Sequence, residues 1–102
     1  MLPFESLTAA EVARELAQRL RRLRLDLGWS QVEIASRAAM TLASYKRFER
    51  TGEIALSSLL RVAMVTGQMA KLEGLFQAPE FRTLDEAIAQ VPKRQRAPRR
   101  GK

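Results

Sequence analysis

Cysteine and histidine are both absent from the 102 residues. Without cysteine there is neither a disulfide framework nor a thiolate. Without histidine as well, a zinc site loses its usual ligands and acid–base catalysis loses the side chain that titrates nearest neutrality. No catalytic residue, metal site or cofactor is therefore predicted, and an enzyme reading has no constellation behind it. Proline (4) and glycine (5) are scarce while 46% of the residues are hydrophobic, which fits a helical core better than disorder along most of the length. No stretch approaches the roughly 18 consecutive apolar residues of a membrane span. The start, Met1-Leu2-Pro3-Phe4-Glu5, also has no basic region leading into an apolar one. A cytoplasmic location is the expectation.

What is abundant is positive charge, and it is unevenly placed. The formal net charge is +7, but Lys93, Arg94, Arg96, Arg99, Arg100 and Lys102 crowd into the last eleven positions, and the remaining 12 basic residues against 11 acidic ones leave only +1. Net charge alone thus implies at most a polyanion partner for the tail. A nucleic-acid reading has to rest on the helical pattern.

That pattern is punctuated by helix starts. Thr8 and Glu11 form a Thr-x-x-Glu capping box with Leu7 and Val12 as a hydrophobic staple, and Val12, Leu16, Leu20, Leu23 and Leu27 follow as one apolar stripe up to a stop at Gly28. Ser30 and Glu33 form a second box, stapled by Trp29 and Ile34, and open a short helix to about Ala38. After a break at Ala39-Met40, Thr41 caps a third helix whose Tyr45 and Phe48 face inward, with Met40 stapling Tyr45 and an end near Arg50 before Gly52. Ile54, Leu56, Leu59, Leu60 and Ala63 predict a fourth helix starting near Leu56 or Ser58 and running toward Gly67. Leu72, Leu75 and Phe76 suggest a short fifth helix ended by Pro79. Thr83 and Glu86 form a third capping box ahead of Leu84, Ile88 and Val91. From Pro92 onward almost nothing apolar offsets the ordering entropy of about 1 to 2 kcal/mol per residue, so disorder is expected there. There is no internal repeat and no strand pattern.

Two short capped helices joined by a few residues, between longer amphipathic ones, meet the geometric requirement for placing the second short helix in a major groove. The run Gly28-Trp29-Ser30-Gln31-Val32-Glu33-Ile34-Ala35 through Ser44-Tyr45-Lys46-Arg47-Phe48-Glu49-Arg50 resembles the Cro and lambda-repressor family of phage-type helix-turn-helix regulators, matching most motif positions without a gap. The resemblance implies an all-α bundle of five or six helices of the lambda-repressor-like type. Residues 1–7 would form an arm, 8–67 the DNA-binding domain, 68–91 a helical extension and 92–102 a disordered basic tail. It also implies that Gln31 holds a DNA phosphate. Leu42, Ala43, Lys46 and Arg47 would lie on the groove face, and Thr41 and Ser44 near the DNA backbone. Arg47 is the strongest base reader of the set, because a guanidinium pairs bidentately with guanine O6 and N7. Leu42 and Ala43 depart from the polar residues common there and offer only apolar contacts, such as to a thymine methyl. Ala39 stands where relatives often carry glycine, so a strained or altered turn is expected.

Other residues have plainer roles. Trp29, Tyr45 and Phe48 follow the buried spacing and are assigned to packing. Arg19, Arg21, Arg22 and Arg24 spread around their helix and are assigned to solvated surface, and Glu49 to a structural pairing with a nearby arginine.

From Tyr45 through Thr51-Gly52-Glu53-Ile54-Ala55-Leu56 to Ala63 the sequence is similar to a narrower group, the HipB-like regulators encoded beside HipA-type serine/threonine kinase toxins. That similarity implies a repressor of its own operon that acts as, or alongside, the antitoxin of such a kinase. Homodimers on inverted-repeat operator DNA follow from the same motif. Two further readings stay open: a stand-alone dimeric phage-type repressor, and an interaction module that has kept the fold without binding DNA.

Overall fold

The computed structural model describes residues 2–79. The third capping box at Thr83 and Glu86, the apolar Leu84, Ile88 and Val91, and the basic stretch from Pro92 lie outside the described residues. No β-strand occurs among the described residues, which hold four α-helices and two short 3-10 turns, Phe4–Ser6 and Met69–Leu72.

Local capping chemistry starts three of the four helices. Thr8 closes a complete capping box on α1 (Ala9–Asp26): its hydroxyl accepts from the Glu11 amide at 3.1 Å while the Glu11 carboxylate accepts from the Thr8 amide at 2.8 Å. Ser30 caps α2 (Gln31–Arg37) by accepting from the Glu33 amide at 3.0 Å, but the expected second box is only half formed. The Glu33 carboxylate turns outward instead to pair with Arg37 one helical turn later, at 3.0 Å. Thr41 caps α3 (Leu42–Thr51) through the Ser44 amide at 3.1 Å. The fourth helix, α4 (Leu56–Val65), begins at Ala55, whose side chain makes no capping bond.

The expected fifth helix at Leu72 to Phe76 does not form. A 3-10 turn ends at Leu72, and Phe76 takes a left-handed φ of 58° that an α-helix cannot contain. A segment this short does not repay helix nucleation.

The core is built from Ala17, Ile34, Ala35, Ala38, Tyr45, Phe48 and Val62, with Leu20, Trp29, Met40, Ile54, Leu59 and Val65 around them. The α3 helix packs across α1 and α2, and α2 also packs on α4. Here the structure corrects the expected α1 stripe, since Leu16 is 38% and Leu27 43% exposed. The buried centre of α1 is Ala17, because α3 ends almost on the α1 backbone. A Cβ built on Gly52 (φ 84°) would lie 2.6 Å from the Ala13 carbonyl carbon, an approach that only glycine allows. Leu16, Leu23 and the outer side of Leu20 line an open groove of about 540 Å³ with Leu59, Ala63 and Leu72.

Candidate nucleic-acid interface

Residues 38–41 join α2 to α3 in a tight turn. Ala39 adopts a left-handed φ of 55°, the strained form expected from the missing glycine. Arg61 of α4 braces the turn from outside: its Nε donates to the Ala38 carbonyl at 2.7 Å and its Nη2 to the Ser58 hydroxyl at 3.1 Å. Sequence patterning gave no sign of this role, which depends on where α4 lies.

Beneath the helix pair sits a buried polar node. The Glu49 carboxylate accepts from Arg24 Nε at 2.7 Å and Nη2 at 3.1 Å, from Gln31 Nε2 at 3.0 Å and from the Tyr45 hydroxyl at 2.5 Å. Arg24 Nη1 also donates to the Trp29 carbonyl at 2.9 Å. Burial pushes the Glu49 carboxyl upward, but the bonds from Arg24, Tyr45 and Gln31 together outweigh it and hold the group below its ordinary value. Burial, reinforced by the hydrogen bond to Glu49, keeps the Tyr45 hydroxyl protonated well above its usual range. The bond to Glu49 likewise raises Arg24. Glu49 therefore has the arginine partner expected of it. Arg24 is corrected, because only 7% of it is exposed, whereas Arg21 and Arg22 do lie on the surface. A signal was available: Arg24 falls seven residues after Ala17, on the same helical face.

The node ties the start of α2 and the end of α3 to α1. Gln31, the predicted phosphate contact, is half-buried and spends one amide hydrogen on this node. On the opposite side of α3, Ala43, Ser44, Lys46, Arg47 and Arg50 are all exposed, as is Thr41 just before the helix. Leu42 is half-buried and takes less part in that surface. The Thr41 hydroxyl also donates to Ser44 Oγ at 2.9 Å, so the two hydroxyls form one polar cluster at the α3 N-terminus.

Three cations, Lys46, Arg47 and Arg50, stand on this face, and Arg50 was not among the residues singled out from sequence. Arg47 pairs through Nη2 with Glu53, just beyond Gly52. Among the described residues neither Lys46 nor Arg50 has an ion-pair partner. The outer surface of α3 is thus cationic and carries hydroxyls at its amino end, while the inner surface is locked by aromatic packing. Tyr45 and Phe48 meet edge to face with ring centroids 6.0 Å apart. Trp29 also serves packing, with the Arg37 guanidinium 4.3 Å above its ring. Among the described residues, no helix is long and apolar enough to cross a membrane.

No family model matches the chain, and neither does any curated protein or solved structure.

Proposed function

We propose that this protein is a sequence-specific transcriptional regulator that reads double-stranded DNA with α3. The observation that carries the reading is the two-sidedness of α3: a cationic, hydroxyl-bearing outer face on a helix whose inner face is fixed by the Glu49 node. Such a helix presents donors to base edges and phosphates without having to order itself first. Arg47 reads guanine, Lys46 contacts phosphate, and Ala43 and the exposed part of Leu42 offer apolar contact to thymine methyl groups. Thr41, Ser44 and Gln31 hold the sugar-phosphate backbone at the two helix starts.

The resemblances of the sequence to the Cro and lambda-repressor family and to the HipB-like regulators extend this to a cytoplasmic homodimer on an inverted-repeat operator. It would repress its own operon as, or alongside, the antitoxin of a HipA-type kinase. The groove lined by Leu16, Leu20, Leu23 and Leu59 offers apolar surface for a protein contact on α1 and α4.

The test is enrichment of fragmented genomic DNA from the source organism on the tagged full-length protein. Recovery of a few fragments sharing an inverted repeat is the expected result. Uniform recovery of all fragments would sink the reading. Mass spectrometry of nuclease-treated purifications from the same cells tests the kinase partner separately.

A further inference from the structure

We propose that Glu53 is a specificity-determining positioning residue: it holds the Arg47 guanidinium on the exposed face of α3, so that discrimination by Arg47 depends on a carboxylate outside the recognition helix. This inference rests on the DNA-binding reading above.

The placement of Glu53 is over-determined. Gly52, in a left-handed conformation, is pressed onto the α1 backbone at Ala13, so the chain leaves α3 in a fixed direction. Thr51 then ties both ends of the ion pair to one hydroxyl. Its Oγ1 donates to the Arg47 carbonyl at 2.8 Å and accepts from the Glu53 amide at 3.1 Å. The loop closes where Arg47 Nη2 meets the Glu53 carboxylate. Backbone, hydroxyl and ion pair form a ring around the last turn of α3.

The pair itself is open to solvent, with both side chains 62% exposed, so its contribution to folding is small. Its effect falls on Arg47. A guanidinium carries five N–H donors in one plane. A single contact through Nη2 restrains that plane and leaves enough donors for a two-pronged bond to guanine. Restraint before binding lessens the side-chain ordering that recognition requires. The carboxylate also opposes the approach of phosphates. Glu53 thus favours a guanine-directed Arg47 over a cation attracted to any duplex.

The test uses the full-length protein and duplex DNA. A random-sequence duplex library is selected on the wild type, and dissociation constants are measured for three probes. These are the selected duplex, the same duplex with one G·C pair replaced by A·T at each position in turn, and a mixed-sequence duplex. Glu53→Gln is expected to lower discrimination at one G·C position by about two- to fivefold and to raise mixed-sequence affinity by about twofold at low salt. Thr51→Val keeps the charge but cuts the tether, and is expected to lower discrimination at the same position without the gain in mixed-sequence affinity. It decides the matter if circular dichroism shows Glu53→Gln to be unfolded. Unchanged discrimination in a folded Glu53→Gln protein overturns the proposal whatever happens to mixed-sequence affinity. A wild type that enriches no sequence overturns the DNA-binding reading itself, and that outcome is seen before any variant is made.

Discussion

Arg24 and Glu49, 25 positions apart in sequence, meet as a two-pronged ion pair with 8% and 5% of their side chains exposed. Both charges are out of water, so each depends on the other for compensation. Removing one partner leaves the second buried and unpaired, a defect that costs about 3 to 5 kcal/mol. Arg24→Ala and Glu49→Ala are each expected to lose that much in urea denaturation. The double variant is expected to lose clearly less than their sum, since no orphan charge remains. Additive losses would show that the pair is not the unit described here.

The same node sets a pH dependence at both ends of the scale. Glu49 is held below its ordinary value, so its contribution is complete above about pH 4.3 and is lost as the pH falls from there through the folded-state value. Tyr45 is shifted the other way, so its contribution is complete below about pH 10 and is lost as the pH rises beyond that. Because Tyr45 is the single tyrosine, its ionisation can be followed by ultraviolet absorbance. It is expected to titrate above the ordinary tyrosine range in the native protein and to return to that range in urea. Glu49→Gln is expected to flatten the acid side of the stability profile. A native tyrosine that titrates near pH 10 would contradict the geometry.

What could be read from the sequence divides by range. Caps at Thr8, Ser30 and Thr41 were legible because a hydroxyl and an amide three residues apart suffice to make them. The inward pair Tyr45 and Phe48 was legible from spacing alone. The α1 stripe was misread because periodicity identifies an apolar face and not its cover. Ala17 and the Ala13 backbone meet α3, whereas Leu16 and Leu23 face a groove. Arg24 shares the helical face of Ala17, but the partners that bury or employ Arg24 and Arg61 lie 25 and 23 residues away, so local spacing does not identify their roles. Among the candidate interface residues, the motif points to the exposed Lys46 and Arg47 but not to Arg50. Glu53 was not, since its relation to Arg47 runs through the left-handed turn at Gly52.

Two left-handed positions make opposite predictions. Ala39 carries a side chain where φ is 55°, a conformation that costs a non-glycine residue about 1 to 2 kcal/mol. Relief of that strain outweighs the added freedom of a glycine in the unfolded chain, about 0.4 to 1 kcal/mol. Ala39→Gly is therefore expected to stabilise the fold by roughly 0.5 to 1 kcal/mol. Gly52→Ala adds a Cβ 2.6 Å from backbone that cannot yield without moving α1, and is expected to cost more than about 2 kcal/mol. Thermal denaturation of both variants checks the pair. Equal signs would mean that the turn or the close approach differs from the one described.

Under the proposed DNA-binding function, the outer face of α3 predicts a division of labour between neighbours. Lys46 and Arg47 are adjacent, exposed and like-charged, yet Arg47 is restrained by Glu53 while Lys46 has no ion-pair partner among the described residues. An ammonium behaves as a mobile point charge, whereas a guanidinium offers a planar fork. Lys46→Ala is expected to weaken binding to selected and mixed-sequence duplexes alike, and to reduce the slope of log affinity against log salt by about 1. Arg47→Ala is expected to cost about 1 to 3 kcal/mol on the selected duplex and to relax preference at one G·C pair, with a smaller effect on mixed sequence. Anisotropy titrations across a salt series separate the two. If both variants shift the salt slope equally and leave base preference intact, α3 acts as a phosphate clamp and sequence is read elsewhere.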